Sequence, residues 1–196
     1  MARPQGDRSA TRDHIIDAAG ELFAERGYAA TSLREIADHL GLSKAALHHH
    51  FRSKDDLLDA LIEPALARID AVIAAAPQPP LDRRARRALF GDFLAAIVEA
   101  GDTMRVLGGD PSALLRPHVQ KRTGDQLQQL EEILVGPTPE RPARFRARAA
   151  LAVLKTAAIP PQFSEHLGEW CSLKVWPELE GEAIEAALDV LGPVRR

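Results

Sequence analysis

Cysteine, aromatic residues and long apolar runs are all scarce in this chain of 196 residues. Its one cysteine, Cys171, excludes an intrachain disulfide and fits a reducing compartment. No apolar stretch approaches the roughly 20 residues that cross a bilayer. The first residues, MARPQGDRSATRD, lack the apolar centre of a signal peptide. We therefore expect a soluble, cytoplasmic protein with no membrane partner.

The sequence also lacks the short motifs of the common enzyme classes. It contains no G-x-S-x-G, no P-loop and no H-E-x-x-H, and Cys171 has no evident partner base. The three consecutive histidines, His48 to His50, do not suit a metal ion, because neighbouring residues of a helix point about 100° apart. We expect no enzyme activity, no cofactor and no metal site.

The composition that remains is typical of a helix bundle. Hydrophobic residues make up 45% of the chain and aromatic residues only 5%, so mostly aliphatic side chains fill the core. No alternating strand pattern stands out, which predicts an all-α fold. The net charge is −3, so a nucleic-acid partner must meet a local positive surface rather than a bulk positive charge.

The segment 31–54, TSLREIADHLGLSKAALHHHFRSK, predicts a helix, a tight turn and a second helix. Ser32 and Glu35 have the spacing of a capping box, so the first helix should begin at Leu33. Its apolar residues recur at i, i+3, i+4 and i+7 and form one buried stripe: Leu33, Ile36, Ala37 and Leu40. Gly41 then stands where a helix end favours a left-handed backbone.

The second helix of this segment separates a buried face from an outward face. Ser43 is its predicted N-cap, and Leu47 and Phe51 lie four residues apart on the inner side. The outer side then carries Ala45, Ala46, His48 and His49. No acidic residue occurs over 39–54, which gives this segment a local positive character. A further helix should begin at the second capping pattern, Ser53 and Asp56.

Helical patterns continue to the end of the chain. We expect helices over about 53–76, bent at Pro64, about 81–100, a longer stretch ending near 135, and about 142–158. The helix over about 81–100 begins with four basic residues, which we interpret as a solvated face: Arg83, Arg84, Arg86 and Arg87. The segment 159–178, with two prolines and two tryptophans, reads as irregular, either a cover over a pocket or part of a dimer interface.

The block ATRDHIIDAAGELFAERGYAATSLREIADHLGLSKAALHHHFRSKDDLLDAL closely resembles the N-terminal domain of TetR-family transcriptional regulators. The resemblance rests on motifs spread through the first third of the chain: Ala18-Ala19, Leu22-Phe23, Gly27-Tyr28, Thr31-Ser32, Ile36-Ala37, Gly41-Leu42-Ser43, Ala46-Leu47, His49, Phe51 and Lys54-Asp55-Asp56-Leu57. It implies a three-helix helix-turn-helix DNA-binding domain over 1–54. It also implies a helical domain for ligand binding and dimerisation over 55–196.

The resemblance assigns DNA contacts to particular residues. Thr31 and Ser32 would touch phosphate, Arg34 phosphate or a base edge, and Lys54 phosphate at the start of the fourth helix. The remaining implied DNA-binding residues belong to the recognition helix and its cap: Ser43, Lys44, Ala45, Ala46, His48 and His49. The family usually has tyrosine in place of His48, so this contact is expected to become sensitive to pH.

The resemblance also implies a second copy of the chain and a small apolar effector. Two late helices would pair across a twofold axis through the residues Phe145, Ala149, Ala152, Val153, Ile184, Ala187, Leu188 and Leu191. The effector pocket would draw on the larger apolar groups Phe90, Phe93, Met104, Leu107, Phe163, Trp170 and Trp176. For each residue in both sets, an ordinary place in the core is the alternative.

We therefore expect a homodimeric repressor that a small molecule releases from a palindromic double-stranded operator. The alternative is an effector-independent, architectural DNA-binding protein with the same N-terminal reader.

Overall fold

The computed structural model describes residues 5–101, 103, 106, 110–137, 139–158 and 177–193. Within these ranges the chain is all-helical, as predicted, and contains no strand. The helices are α1 (Gln5–Arg26), α2 (Leu33–His39), α3 (Lys44–His50), α4 (Lys54–Ala75), α5 (Arg83–Glu99), α6 (Pro111–Leu114), α7 (Pro117–Val135), α8 (Arg141–Ala157) and α9 (Pro177–Leu191). Several predicted residues lie outside the described ranges: Met104, Leu107, Phe163, Trp170, Cys171 and Trp176, together with most of the segment 159–178.

Local capping explains where the first helices begin and end. The hydroxyls of Ser32, Ser43 and Ser53 each accept a hydrogen bond from a backbone amide in the first turn of α2, α3 and α4. Gly27 ends α1 with a φ of 85°, and Gly41 follows α2 with a φ of 63°. Both values lie in the left-handed region, which glycine adopts without a steric penalty.

The first hydrophobic core joins α1, α2 and α3 to the first half of α4. It is built on fully buried side chains that include Phe23, Tyr28, Ile36 and Leu47. The rings of Phe23 and Tyr28 meet edge to face, 5.1 Å between centroids. Burial of a side chain such as Ile36 or Leu47 stabilises the unit by about 1.5–3 kcal/mol.

The second hydrophobic core is formed by α5, α7, α8 and α9. α9 packs chiefly against α8 and also against α5. Ala147, Ala150 and Ala187 are fully buried there, because small side chains let helices approach closely. α4 runs between the two cores and remains one helix across Pro64, which lies on its exposed side. No helix within the described ranges is long and apolar enough to cross a bilayer.

The prediction that the basic residues at the start of α5 form a solvated face is wrong for Arg86. Arg86 is buried, with 8% of its surface exposed, because α5 turns it towards the ends of two other helices. Its guanidinium donates to Leu134 O at the end of α7 and to Gly192 O just after α9. Helix C-termini carry partial negative charge, so they partly compensate this cation. A shallow depression of about 360 Å³ lies beside it at this end of the bundle.

Candidate nucleic-acid interface

Hydrogen bonds stabilise the helix-turn-helix at the start of α2, in the turn and at the start of α3. The capping box of α2 is complete: Glu35 N donates to Ser32 Oγ at 3.3 Å, and Ser32 N donates to Glu35 Oε2 at 2.8 Å. The turn closes with a hydrogen bond from Leu42 N to Ala37 O at 2.8 Å. Ala46 N donates to Ser43 Oγ at 3.1 Å and starts α3. These bonds fix the angle at which α3 leaves the turn.

One face of α3 is open to solvent. Leu47 is fully buried against the first core and anchors the helix from behind. The five residues predicted to contact DNA from this helix are all exposed: Lys44, Ala45, Ala46, His48 and His49. This face contains no carboxylate, one permanent cation and two ring systems that can donate hydrogen bonds. Such a surface is suited to an anionic polymer and to the floor of a groove.

Thr31 and Lys54, both predicted to contact phosphate, have internal partners in the structure. Thr31 is 1% exposed, and its hydroxyl donates to Gly27 O at 2.9 Å. Lys54 Nζ donates to Tyr28 O at 2.7 Å and to Thr31 O at 2.8 Å. The two side chains therefore shape the turn before α2. Ser32 and Arg34, by contrast, are exposed at the edge of the same surface.

A charged cluster lies behind that turn, and sequence reasoning did not find it. Tyr28 donates a hydrogen bond to Asp55, and Arg116 Nε lies 3.2 Å from Asp55 Oδ1. The cations of Lys54 and Arg116 lie 4.4 Å and 5.1 Å from the centre of the Tyr28 ring. Burial and the neighbouring Asp55 raise the pKa of Tyr28, while burial and the neighbouring Arg116 lower the pKa of Lys54.

Asp110 links the same turn to the C-terminal part of the chain. Its Oδ2 accepts a hydrogen bond from Ala29 N at 2.6 Å, and its Oδ1 accepts one from Ser112 N at 2.9 Å. Burial alone would raise the pKa of Asp110, but these hydrogen bonds hold that pKa below its ordinary value. A carboxylate from the second half of the molecule thus holds the loop that precedes the helix-turn-helix.

Polar contacts continue along α4 and α7. His118 Nε2 lies 2.5 Å from Asp59 Oδ1, and Arg122 donates to Asp70 at 2.6 Å. One turn further, Gln126 is buried and donates to Leu66 O at 2.8 Å and to Asp70 at 2.7 Å. α7 is therefore attached to α4 at several successive turns.

A mostly apolar cavity of about 130 Å³ lies among α4, α5, α7 and α8. Its wall includes the side chains Ile62, Leu66, Phe93, Ile97, Leu127 and Leu130. Of the two predicted pocket residues within the described ranges, Phe93 lines this cavity. Phe90 packs in the second core, fully buried.

The residues predicted for dimerisation divide into two groups. Phe145 is 71% exposed, Ala152 is exposed, and Ala149 and Val153 are half-buried on the outer side of α8. The four residues on α9 are buried inside the protomer: Ile184, Ala187, Leu188 and Leu191. Their side chains pack against α5 and α8, so they present no surface to a partner. Ala186 and Val190 are the exposed apolar residues on the outer side of α9.

Comparison with known proteins agrees with this geometry. The model of the tetR family of bacterial regulatory proteins matches residues 15–61, which cover most of α1, all of α2 and α3, and the start of α4. The helix-turn-helix region of this chain is therefore similar to that of the tetR family. This match explains the capped helix-turn-helix and the exposed face of α3 together.

Relatives of this chain are transcriptional regulators by name. The transcriptional repressor KstR2 of Mycobacterium tuberculosis is 40% identical over 62 residues, which are 32% of this chain and 31% of that protein. The transcriptional activator FasR of Mycolicibacterium smegmatis is 36% identical over 93 residues, 47% of this chain and 39% of that protein. The matching region thus spans about a third of the length of these relatives.

Solved structures extend the similarity of fold to nearly the whole chain. PfmR, a TetR-family regulator from Thermus thermophilus, has a TM-score of 0.61 and 25% identity, covering 93% of this chain and 99% of that one. NalD from Pseudomonas aeruginosa, the secondary repressor of an efflux pump, has a TM-score of 0.65 and 20% identity. The alignment with NalD covers 93% of this chain and 96% of the NalD chain. The C-terminal bundle therefore has the fold of these proteins.

Proposed function

We propose that two copies of this chain bind a double-stranded operator and regulate transcription from it, as a repressor that a small molecule releases. The observation that carries the proposal is the exposed, acid-free face of α3 on a capped helix-turn-helix that matches the model of the tetR family over residues 15–61. Both a repressor and an activator occur among the named relatives.

The exposed residues are suited to different DNA contacts because their side chains differ in chemistry. Lys44, Ser32 and Arg34 supply phosphate contacts that position α3. His48 and His49 offer ring N–H donors, and the methyl groups of Ala45 and Ala46 suit the methyl group of thymine in the major groove. Arg34 has only a weak exposed ion pair with Asp38, 3.7 Å apart, so it is released readily.

We assign supporting roles to three of the predicted contact residues. Ser43 caps α3, while Thr31 and Lys54 hold the turn before α2 through backbone carbonyls. Loss of any of them would disturb the orientation of α3. Their contribution to DNA affinity is therefore indirect in this conformation.

The outer side of α8 is the proposed dimer contact. Phe145 is a large exposed aromatic residue, and the small side chains of Ala149 and Ala152 beside it permit close helix approach. Val190 extends this apolar surface on α9. A twofold dimer would place two copies of α3 at about 34–36 Å, the spacing of successive major grooves on one face of DNA.

The proposed effector site is the cavity among α4, α5, α7 and α8. Two of its walls, α4 and α7, are joined by the ion pairs Asp55–Arg116 and Asp59–His118, and Tyr28, in the turn before α2, donates a hydrogen bond to Asp55. A ligand that prefers the arrangement unsuited to DNA by about 1.4–2.7 kcal/mol would lower operator affinity roughly ten- to a hundredfold.

Selection of genomic fragments by the purified full chain tests this proposal. Selected fragments should share a palindrome, and binding should weaken steeply as salt rises, because Lys and Arg side chains displace counterions from phosphate. Lys44→Ala and His49→Ala should each weaken binding at least about tenfold, while Arg84→Ala, an exposed change on α5, should not. Equal affinity for all fragments in all four proteins would refute it.

A further inference from the structure

Lys155 stands at the mouth of the cavity proposed for the effector. It lies near the end of α8, keeps an exposed surface, and contributes to the cavity wall. Within the described residues, no carboxylate lies within ion-pair distance of its ammonium. Partial burial lowers the pKa of Lys155, as expected for an ammonium without a compensating anion.

The other polar groups of the cavity wall use their donors internally. The hydroxyl of Thr103 donates to Leu61 O at 3.3 Å, and that of Thr123 donates to Val119 O at 2.8 Å. The amide nitrogen of Gln126 donates to Leu66 O and to Asp70. Lys155 is therefore the one cation of the described wall, and its three N–H donors have no hydrogen-bond partner among the residues that the structure describes.

We propose that this cavity binds a small apolar carboxylic acid, with the carboxylate on Lys155 and the apolar body between α4, α5 and α7. The inference rests on the proposed function, because it names the chemical class of the effector for the same site. An apolar wall accepts a ring or a short alkyl chain, and a single ammonium at the mouth recognises a single anionic group.

The volume of the cavity limits the size of the ligand. About 130 Å³ is close to the roughly 150 Å³ of a buried apolar cavity that admits benzene. One aromatic ring, or an alkyl chain of about six carbons, therefore fits between Ile62, Phe93 and Leu130. Longer chains would have to leave through the mouth beside Lys155.

Titration calorimetry on the full chain without DNA tests the proposal. The probes are benzoate and hexanoate, each paired with its uncharged amide, benzamide and hexanamide. We expect each acid to bind at least about tenfold more tightly than its amide, because only the carboxylate forms an ion pair with the ammonium. Lys155→Met should remove this preference and leave amide binding nearly unchanged, since methionine retains an apolar stem.

Two further variants locate the binding site. Lys121→Met, an exposed change on α7 outside the cavity wall, should retain the preference for acids. Ala96→Phe should abolish binding of acids and amides alike, because Ala96 is buried in the cavity wall and a larger ring fills the space. A circular dichroism spectrum and thermal melt of each variant show whether it is folded.

Several results would overturn the inference: no binding of either acid at about 10 mM, equal affinity for acid and amide, or a preference that survives Lys155→Met or Ala96→Phe in a folded protein. The outcome is separable from that of the proposed function. If the acids bind but do not change DNA affinity, the carboxylate-binding site is supported and its role as the effector site is refuted. If the chain selects DNA but binds no acid, the proposed regulatory function stands and only the proposed class of effector is refuted.

Discussion

Replacing Asp110 by asparagine removes a negative charge from the joint between the helix-turn-helix and the C-terminal part of the chain. In the wild type, Asp110 accepts hydrogen bonds from Ala29 N at 2.6 Å and from Ser112 N at 2.9 Å, one on each oxygen. Asparagine has one acceptor oxygen and one NH₂ donor. One of the two backbone amides would therefore face another donor.

The expected effect of Asp110→Asn follows from these two bonds. A hydrogen bond to a charged group contributes about 1.5–3 kcal/mol, and partial exposure of the site favours the lower end. We expect the free energy of unfolding to fall by about 1–2 kcal/mol near pH 7. The depressed pKa of Asp110 means that its stabilisation is present near neutral pH and is lost as the pH falls through the folded-state pKa.

Urea unfolding of wild type and variant at about pH 7 and about pH 3 measures this difference. The gap between the two proteins should be clear at neutral pH and smaller in acid. Asp92→Asn, an exposed change on α5, is the matched control and should unfold like the wild type. If Asp110→Asn behaved like Asp92→Asn at both pH values, the joint would contribute nothing and the reasoning would be refuted.

Two further predictions address the turn before α3 and the dimer. Gly41→Ala should destabilise the protein by about 1–2 kcal/mol in urea unfolding, because its φ is 63°. Gly124→Ala, in open space within α7, should instead stabilise it by about 0.5–1 kcal/mol, and similar signs for the two would contradict this. Phe145→Glu should lower the sedimentation coefficient towards that of a monomer. Leu115→Glu, which changes another exposed apolar residue, should leave the sedimentation coefficient unchanged. If Phe145→Glu remained a dimer, the dimer contact would lie elsewhere.

Features set by neighbouring residues could be predicted from the sequence. The capping box of Ser32 and Glu35 and the left-handed Gly41 depend on residues three or fewer positions apart, and both are present in the structure. The buried position of Leu47 follows from its spacing to Phe51. Periodicity alone therefore defined which face of α3 is exposed.

Features set by distant residues could not be predicted in this way. Tyr28, Asp55 and Arg116 come from three separate elements, and no spacing in the sequence connects them. Arg86 was assigned to a solvated face because basic residues usually lie there, yet two helix ends meet around it. The role proposed for Lys155 likewise depends on the packing of α8 beside α5 and α7.

The central claim is that two copies of α3 read one operator, and sedimentation of the purified chain with a selected duplex tests it most directly. The account predicts two chains per duplex, with binding that weakens as salt rises and is lost in Lys44→Ala. A strictly monomeric chain with no salt-sensitive preference for any duplex would contradict it.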